Sequence, residues 1–342
     1  MPERYYDPKK YGGFSGPPDM FAPAGRQPET GALRPETARL LSATTKSPPV
    51  MQAVSPRWLL KLLPWVPVEA GVYRVNRLSR TAADDAEKPV LSDFRRHPGE
   101  RIAGAYPEYD ETPREYMLNV IQTILRLSTY VTDIFNAPFD QRDEQARLTI
   151  EAMQERQEWE IINDPGIGLI NSVARGMRVR ARKGSPSPDD MDELLAKVWK
   201  KPAFFLAHPR AIAALCRECT RRGVPPATVN LFGSPFLTWR GVPVIPCDKL
   251  LIDGRTETDA ATGKTAILLL RTGEKEQGVI GLNQPGIPDE CEVPSLSVRL
   301  AGIDDRGVAS YILSLYFSVA VLSGDALGML EDVEIGNYYD YK

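Results

Sequence analysis

The sequence predicts an α+β fold, and four stretches carry the prediction. Pro202 to Asp253 reads as strand, helix, loop, strand, tight turn, strand. Two earlier stretches, 112–135 and 142–163, hold apolar residues at helical spacing. A later one, 265–322, is a series of short aliphatic runs broken by Gly, Pro and charged residues, as strands are.

The middle stretch is the most legible. Ala203 to Ala207 is a short apolar run, and His208-Pro209 then opens a helix, since the first turn leaves its N–H groups unpaired anyway. Ala211, Ile212, Leu215 and Cys219 recur at helical spacing, and Arg221-Arg222-Gly223 supplies a cationic last turn and a glycine stop. After a proline-rich loop, Phe236 to Trp239 and Val242 to Ile245 flank Arg240-Gly241, a hairpin signal.

Residues 1–50 carry nine prolines and five glycines, with few aliphatics before Leu40-Leu41. Such a segment alone buries too little apolar surface to offset ordering, at ~1–2 kcal/mol per backbone residue. It reads as a disordered tail, or as an extended arm ordered only by lying across neighbouring subunits. From Ser55 the composition changes. Trp58, Leu59, Leu62 and Leu63 make a short amphipathic helix ended by Pro64, and Val72 to Arg77 alternates like a strand. A polar, charged stretch, Arg80 to Glu100, separates it from a second strand, Arg101 to Tyr109. A connection this long suits an arm reaching over a neighbour better than the interior of a compact domain.

Thr112-Pro113-Arg114-Glu115 has the form of a capping box, which predicts a helix with Met117, Val120, Ile121, Ile124, Val131 and Phe135 on one stripe. Arg142 to Asn163 predicts a second helix, ~33 Å long at 1.5 Å per residue. Its expected wet face carries the pairs Asp143–Arg147 and Arg156–Glu160; its expected dry face carries Leu148, Ala152, Trp159 and Ile162. The run Asn163 to Asn171 is the turn that follows. Ser187-Pro188-Asp189-Asp190 caps a helix over Pro188 to Lys200. Beyond the middle stretch come Leu250 to Ile252, a polar hairpin tip (Asp253 to Lys264), and strands at Thr265 to Arg271, Gly278 to Leu282, Ser295 to Leu300 and Val308 to Leu322, before the tail 324–336.

Composition narrows the function. The 342 residues suffice for two ordinary domains or one large one, and 42% apolar with 25% charged residues is globular. A net charge of −3 leaves no basic footprint for nucleic acid. The start MPERYYDPKK lacks the apolar core of a signal peptide. The longest apolar run, Tyr311 to Leu322, is well short of the ~20 residues a membrane helix needs. A soluble, cytoplasmic protein with reduced cysteines and no membrane partner is expected.

No motif carries chemistry. Thr262-Gly263-Lys264-Thr265 resembles the end of a phosphate loop, but position 258 is Thr where that loop needs Gly, and strands flank it. Gly166-Ile167-Gly168 lacks a third glycine and follows a helix, so it is a turn. Cys216 and Cys219 lie inside a helix with no second pair, which suits neither zinc nor a redox couple. The two histidines, His97 and His208, each precede proline, and there is no G-x-S-x-G elbow. No catalytic, cofactor-binding or metal-ligating residue is assigned, no cofactor is expected, and the chain reads as a non-enzyme.

The order "apolar strand, H-P helix, G-x-P-F-L-x-x-x-G-x-P-V-I-P-x-D" across 203–248, with the string at 55–77, resembles the tailed-phage (HK97-like) major capsid fold. In particular it is similar to the shell proteins of family 2A encapsulins, the major membrane protein I group, over Ser47 to Gly336. The resemblance implies an N-terminal arm (1–55), an extension loop (E-loop, 56–111), and a peripheral (P) domain (112–182) with spine helix 142–163. It also implies an axial (A) domain occupying most of 183–294, with 295–342 as closing strands and C-terminus. It further implies self-assembly into an icosahedral shell of 60 copies (T=1) that encloses a cargo enzyme through a targeting segment. In this family the cargo is chiefly a cysteine desulfurase, hence sulfur metabolism or storage. The loop from Val75 to Arg101 is too short for the cyclic-nucleotide-binding domain some relatives insert. The competing readings are a viral or prophage major capsid protein packaging DNA and a soluble α+β enzyme.

Overall fold

A computed structural model describes residues 55–76, 99, 113–127, 141–253, 263–290, 293–305 and 308–336. The described elements begin with α1 (Trp58–Leu62), β1 (Trp65–Pro67) and β2 (Val72–Val75), then β3 (Arg114–Met117) and β4 (Asn119–Leu127). The long α2 (Gln141–Asn163) leads through α3 (Leu169–Ser172) to β5 (Arg178–Arg180) and α4 (Pro188–Lys197). Next come β6 (Phe204–Ala207), α5 (Pro209–Arg221), β7 (Ala227–Leu231), β8 (Ser234–Trp239) and β9 (Val242–Pro246). The strands β10 (Lys264–Leu270), β11 (Val279–Asn283), β12 (Leu296–Ile303), β13 (Ala309–Val321) and β14 (Leu327–Glu334) complete the fold.

Two sheets share one core. The first is ordered β1-β11-β13-β12, with β4 also paired to β13; the second is ordered β5-β14-β10-β6-β9-β8-β7. The runs Phe204–Ala207 and Ile267–Leu270 are apolar at every position because their sheet is covered on both faces. Phe204, Leu206, Leu268 and Leu270 face the core shared with α1, α2 and the first sheet. Phe205, Ala207, Ile267 and Leu269 face the core closed by α4 and α5. A near-continuous hydrophobic strand is the expected result. On the first sheet's other face, Tyr116 packs with Val68, Ile280 and Ala320 and donates its hydroxyl to the Val321 carbonyl at 2.6 Å.

Most expected elements are present. Ser187 and Asp190 form the reciprocal capping box of α4, which ends at Lys197, three residues before its expected end. His208 caps α5, its Nδ1 accepting from the Arg210 N–H. Arg240 and Gly241, at φ 49° and 86°, make the tight turn between β8 and β9.

Three expectations are corrected. The helix foreseen from Thr112 to Phe135 is β3 and β4 over its described part; Thr112, Val131 and Phe135 lie outside the described residues. Spacings of three and four between Met117, Val120, Ile121 and Ile124 fit a helix, but Ile121, Thr123, Leu125 and Leu127 also alternate. Pairing along β13 from Asn119–Phe317 to Leu127–Ala309 decides for the strand, and β-branched residues favour it. Met117, Val120 and Ile124 consequently face outward. The dry face of α2 is also rotated: Ala146, Ile150, Met153 and Ile161 are buried with Ile162, whereas Leu148 and Ala152 are exposed and Trp159 is half-buried. Finally, the proline-rich loop after α5 contains a strand, β7. The expected strand Arg101 to Tyr109 and the Asp143 side chain lie outside the described residues.

Candidate assembly site

The best-defined polar construction joins the start of the described chain to the long helix. Helix α1 lacks a cap of its own: Arg57 occupies the N-cap with φ 51° and offers no side-chain hydrogen bond. Two carboxylates of α2 replace it. Glu158 Oε1 accepts from the Leu59 N–H at 3.1 Å, one of the donors a helix start leaves unpaired. Glu155 Oε1 accepts from both the N–H and the hydroxyl of Ser55 at 3.0 Å. The Arg57 guanidinium lies 3.7 Å from Glu155, and Lys249 Nζ, arriving from the end of β9, lies 2.5 Å from its other oxygen. Burial pushes the Glu158 carboxyl up to about 7, Glu155 adds to the rise, and the Leu59 N–H opposes it.

Beside this latch sits the only grouping of potential metal ligands among the described residues: Glu158, Cys247 and Asp248 bring ligand atoms within 4.8 Å of one another. Burial raises the Cys247 thiol far above its ordinary range, so it is neutral. Lys249 Nζ, 2.8 Å from Asp248 Oδ2 and 2.5 Å from Glu155 Oε2, already supplies a cation to the carboxylates on either side of it. The arrangement is an ion-paired structural clamp.

Helix α1 also forms the wall of two grooves. One, about 740 Å³, lies between Trp58, Ile212, Phe236 and Pro246; the other, about 260 Å³, lies between Leu60, Trp65, Gln157 and Asn283. Arg57 and Lys61 border both. Trp58 packs edge-on against Phe236 at 5.2 Å and lies 5.8 Å from Phe232 at the β7–β8 turn. Phe232 is 66% exposed at φ 52°, a left-handed conformation that costs an L-residue ~1–2 kcal/mol.

The motifs weighed in the sequence stay apart. Gly263 precedes β10 and Lys264 begins it, away from any helix start, and Thr262 lies outside the described residues. Gly166 and Gly168 form the turn after α2, where the Asp164 carboxylate accepts from the N–H groups of Gly166 (2.7 Å) and Ile167 (2.9 Å). Cys216 and Cys219 are free thiols on α5, both raised by burial, Cys219 to about 11. His97 lies outside the described residues. Sequence reasoning missed Glu155 and Glu158; their one signal is acid on the inner face of a helix opposite a helix start without a cap.

Comparison with known proteins matches this architecture to shells. The SrpI-like family profile, described as type 2A encapsulin shell protein SrpI-like, matches residues 76–337. The type 2A encapsulin shell protein SrpI of Synechococcus elongatus is 51% identical over 311 residues, covering 91% of this chain and 97% of SrpI. The chain belongs to the type 2A encapsulin shell protein family. A Mycolicibacterium paratuberculosis member of this encapsulin family is 46% identical over 92% of this chain and 99% of its own length. The cryo-EM structure of the holo-SrpI encapsulin complex superposes with a TM-score of 0.75 at 50% identity, covering 91% of this chain and all of the SrpI chain. At 14% identity, the capsid of an empty gene-transfer-agent (GTA) particle superposes with a TM-score of 0.58 over 88% of this chain, a likeness of fold alone. The fold is thus the HK97-like capsid fold, α+β, as the sequence implied. This encapsulin's relatives are named as shell proteins, not enzymes.

Proposed function

We propose that the chain assembles in the cytoplasm into a closed icosahedral shell of 60 copies (T=1) enclosing a cysteine desulfurase, in the service of sulfur metabolism or storage. The observation that carries this reading is the near-complete match to SrpI, 97% of whose length this chain covers. Residues 1–55 then act as the N-terminal arm and 56–111 as the extension loop. Residues 112–182 form the P-domain around spine helix 142–163; the A-domain takes most of 183–294, and 295–342 close the core. The two carboxylates on α2 support the first of these assignments, because they fix the point where an arm would leave the core. Closed symmetry supplies each copy with a partner for such appendages.

Particles purified from the native host test the cargo. A co-purifying pyridoxal-phosphate enzyme, identified as a desulfurase by mass spectrometry and released sulfide, is expected. Particles without such an enzyme contradict the cargo assignment, and particles with a raised 260/280 absorbance ratio favour a DNA-packaging capsid. Sixty copies of the 38.0 kDa chain make an empty shell of about 2.3 MDa, so native mass measurement tests the copy number.

A further inference from the structure

We infer that the uncharged hairpin β7–β8 is a contact surface through which one copy of this chain grips another. The inference rests on the shell reading and goes beyond it by naming the surface.

Four observations converge. Residues 223–239 contain no Asp, Glu, Lys or Arg, in a chain that is 25% charged. Within this stretch, Val224, Val229 and Phe232 are exposed at 47%, 36% and 66%. Strand β7 ends the seven-stranded sheet, and Ala227 to Asn230 are all exposed. An open edge is normally blunted by a charge, a proline or a bulge; β7 has none of these, and it pairs in unbroken register with β8 from Ala227–Thr238 to Leu231–Ser234. The two-residue turn Phe232-Gly233 has both φ angles positive, 52° and 76°, a turn that Asn-Gly or Asp-Gly fills without strain. Phe232 is the one aromatic residue among the described non-glycine residues with positive φ. Among the described residues its one aromatic contact is a tilted one with Trp58.

An aromatic held in a strained turn and left mostly in water is rewarded only outside its own copy. The absence of charge determines what covers it. A partner selected by ion pairs finds no complement here, whereas an interface core is depleted in charge and rich in aromatics. A shell subunit meets copies of itself at high local concentration, and the second copy is the occupant.

Phe232→Asn separates the contact from folding, because Asn suits this turn better than Phe. The variant is expected to fold with unchanged circular dichroism, yet to require about tenfold more protein for assembly, as loss of a central aromatic anchor does. In the wild type, backbone amides of 227–232 should exchange more slowly in assembled particles than in subunits dissociated by mild denaturant. A Phe232→Asn protein assembling at the wild-type concentration, with 227–232 exchanging equally fast in both states, overturns the inference. Protection that appears only when cargo is loaded overturns it too, by naming a different occupant. A wild type that forms no particles removes the shell reading itself, which is a different failure.

Discussion

Replacing Glu158 with Gln should make the protein less sensitive to alkaline pH, not less stable throughout. The carboxyl is 1% exposed, and its folded-state value of about 7 against an ordinary 4.5 corresponds to ~3 kcal/mol in favour of the protonated form. Because the folded value is the higher one, this contribution is complete below pH 4.5 and is lost as pH rises through 7. Between pH 5 and pH 8 the wild type should lose about 2–3 kcal/mol per copy through this group. Gln keeps a carbonyl oxygen for the Leu59 N–H, presents an amide to the Ser55 hydroxyl, and does not titrate. The assay is thermal unfolding of wild type and Glu158→Gln at both pH values. Subtracting one protein from the other removes every other titrating group. The midpoint difference should move in favour of the variant by about 5 °C from pH 5 to pH 8, at about 2 °C per kcal/mol for a chain of this size. An equal difference at both pH values, or a variant that falls further behind at pH 8, refutes the account of the latch.

Other outcomes follow from the same packing. Leu59→Ala removes a side chain with no exposure and should cost about 2–5 kcal/mol, read as a lower urea midpoint with faster proteolysis at the start of α1; unchanged values contradict the docking of α1. In Gly168→Ala the new methyl would sit 2.3 Å from the Asp164 carbonyl oxygen, an overpacking that should lower stability by about 3 kcal/mol; a neutral variant contradicts the turn geometry. Iodoacetamide at pH 8 should leave Cys219 and Cys247 unmodified in the native protein and label both in urea, since burial keeps each thiol protonated. Deleting residues 1–50 should abolish or misdirect assembly, and particles of normal size from the truncated protein would refute the arm's role.

Much of the fold was legible because its local signals agree with its packing. The His208-Pro209 cap, the Ser187–Asp190 box and the Arg240-Gly241 turn are each specified within four residues, and each forms as written. The failures share a different cause. Strand β4 acquires its conformation from β13, whose partners lie far along the chain, so local spacing could not arbitrate between two periods that both fit Met117 to Leu127. Helix α2 is buried on more than one side and carries buried Glu151 and Glu158, so no single apolar stripe marks its inner face. Strand β7 hides between prolines at 225–226 and 235, with Phe where a turn signal calls for Asn. The latch was invisible for a related reason: the cap of α1 comes from a residue 99 positions away. What a subunit does with its neighbours is less legible still, because those partners are other copies of the same sequence.

Negative-stain electron microscopy of the protein, expressed alone and purified by size exclusion, tests the central claim most directly. Hollow particles of one size, eluting far ahead of the 38.0 kDa subunit, are the predicted result. A monomer or dimer that remains small at every concentration and pH tried would contradict the shell.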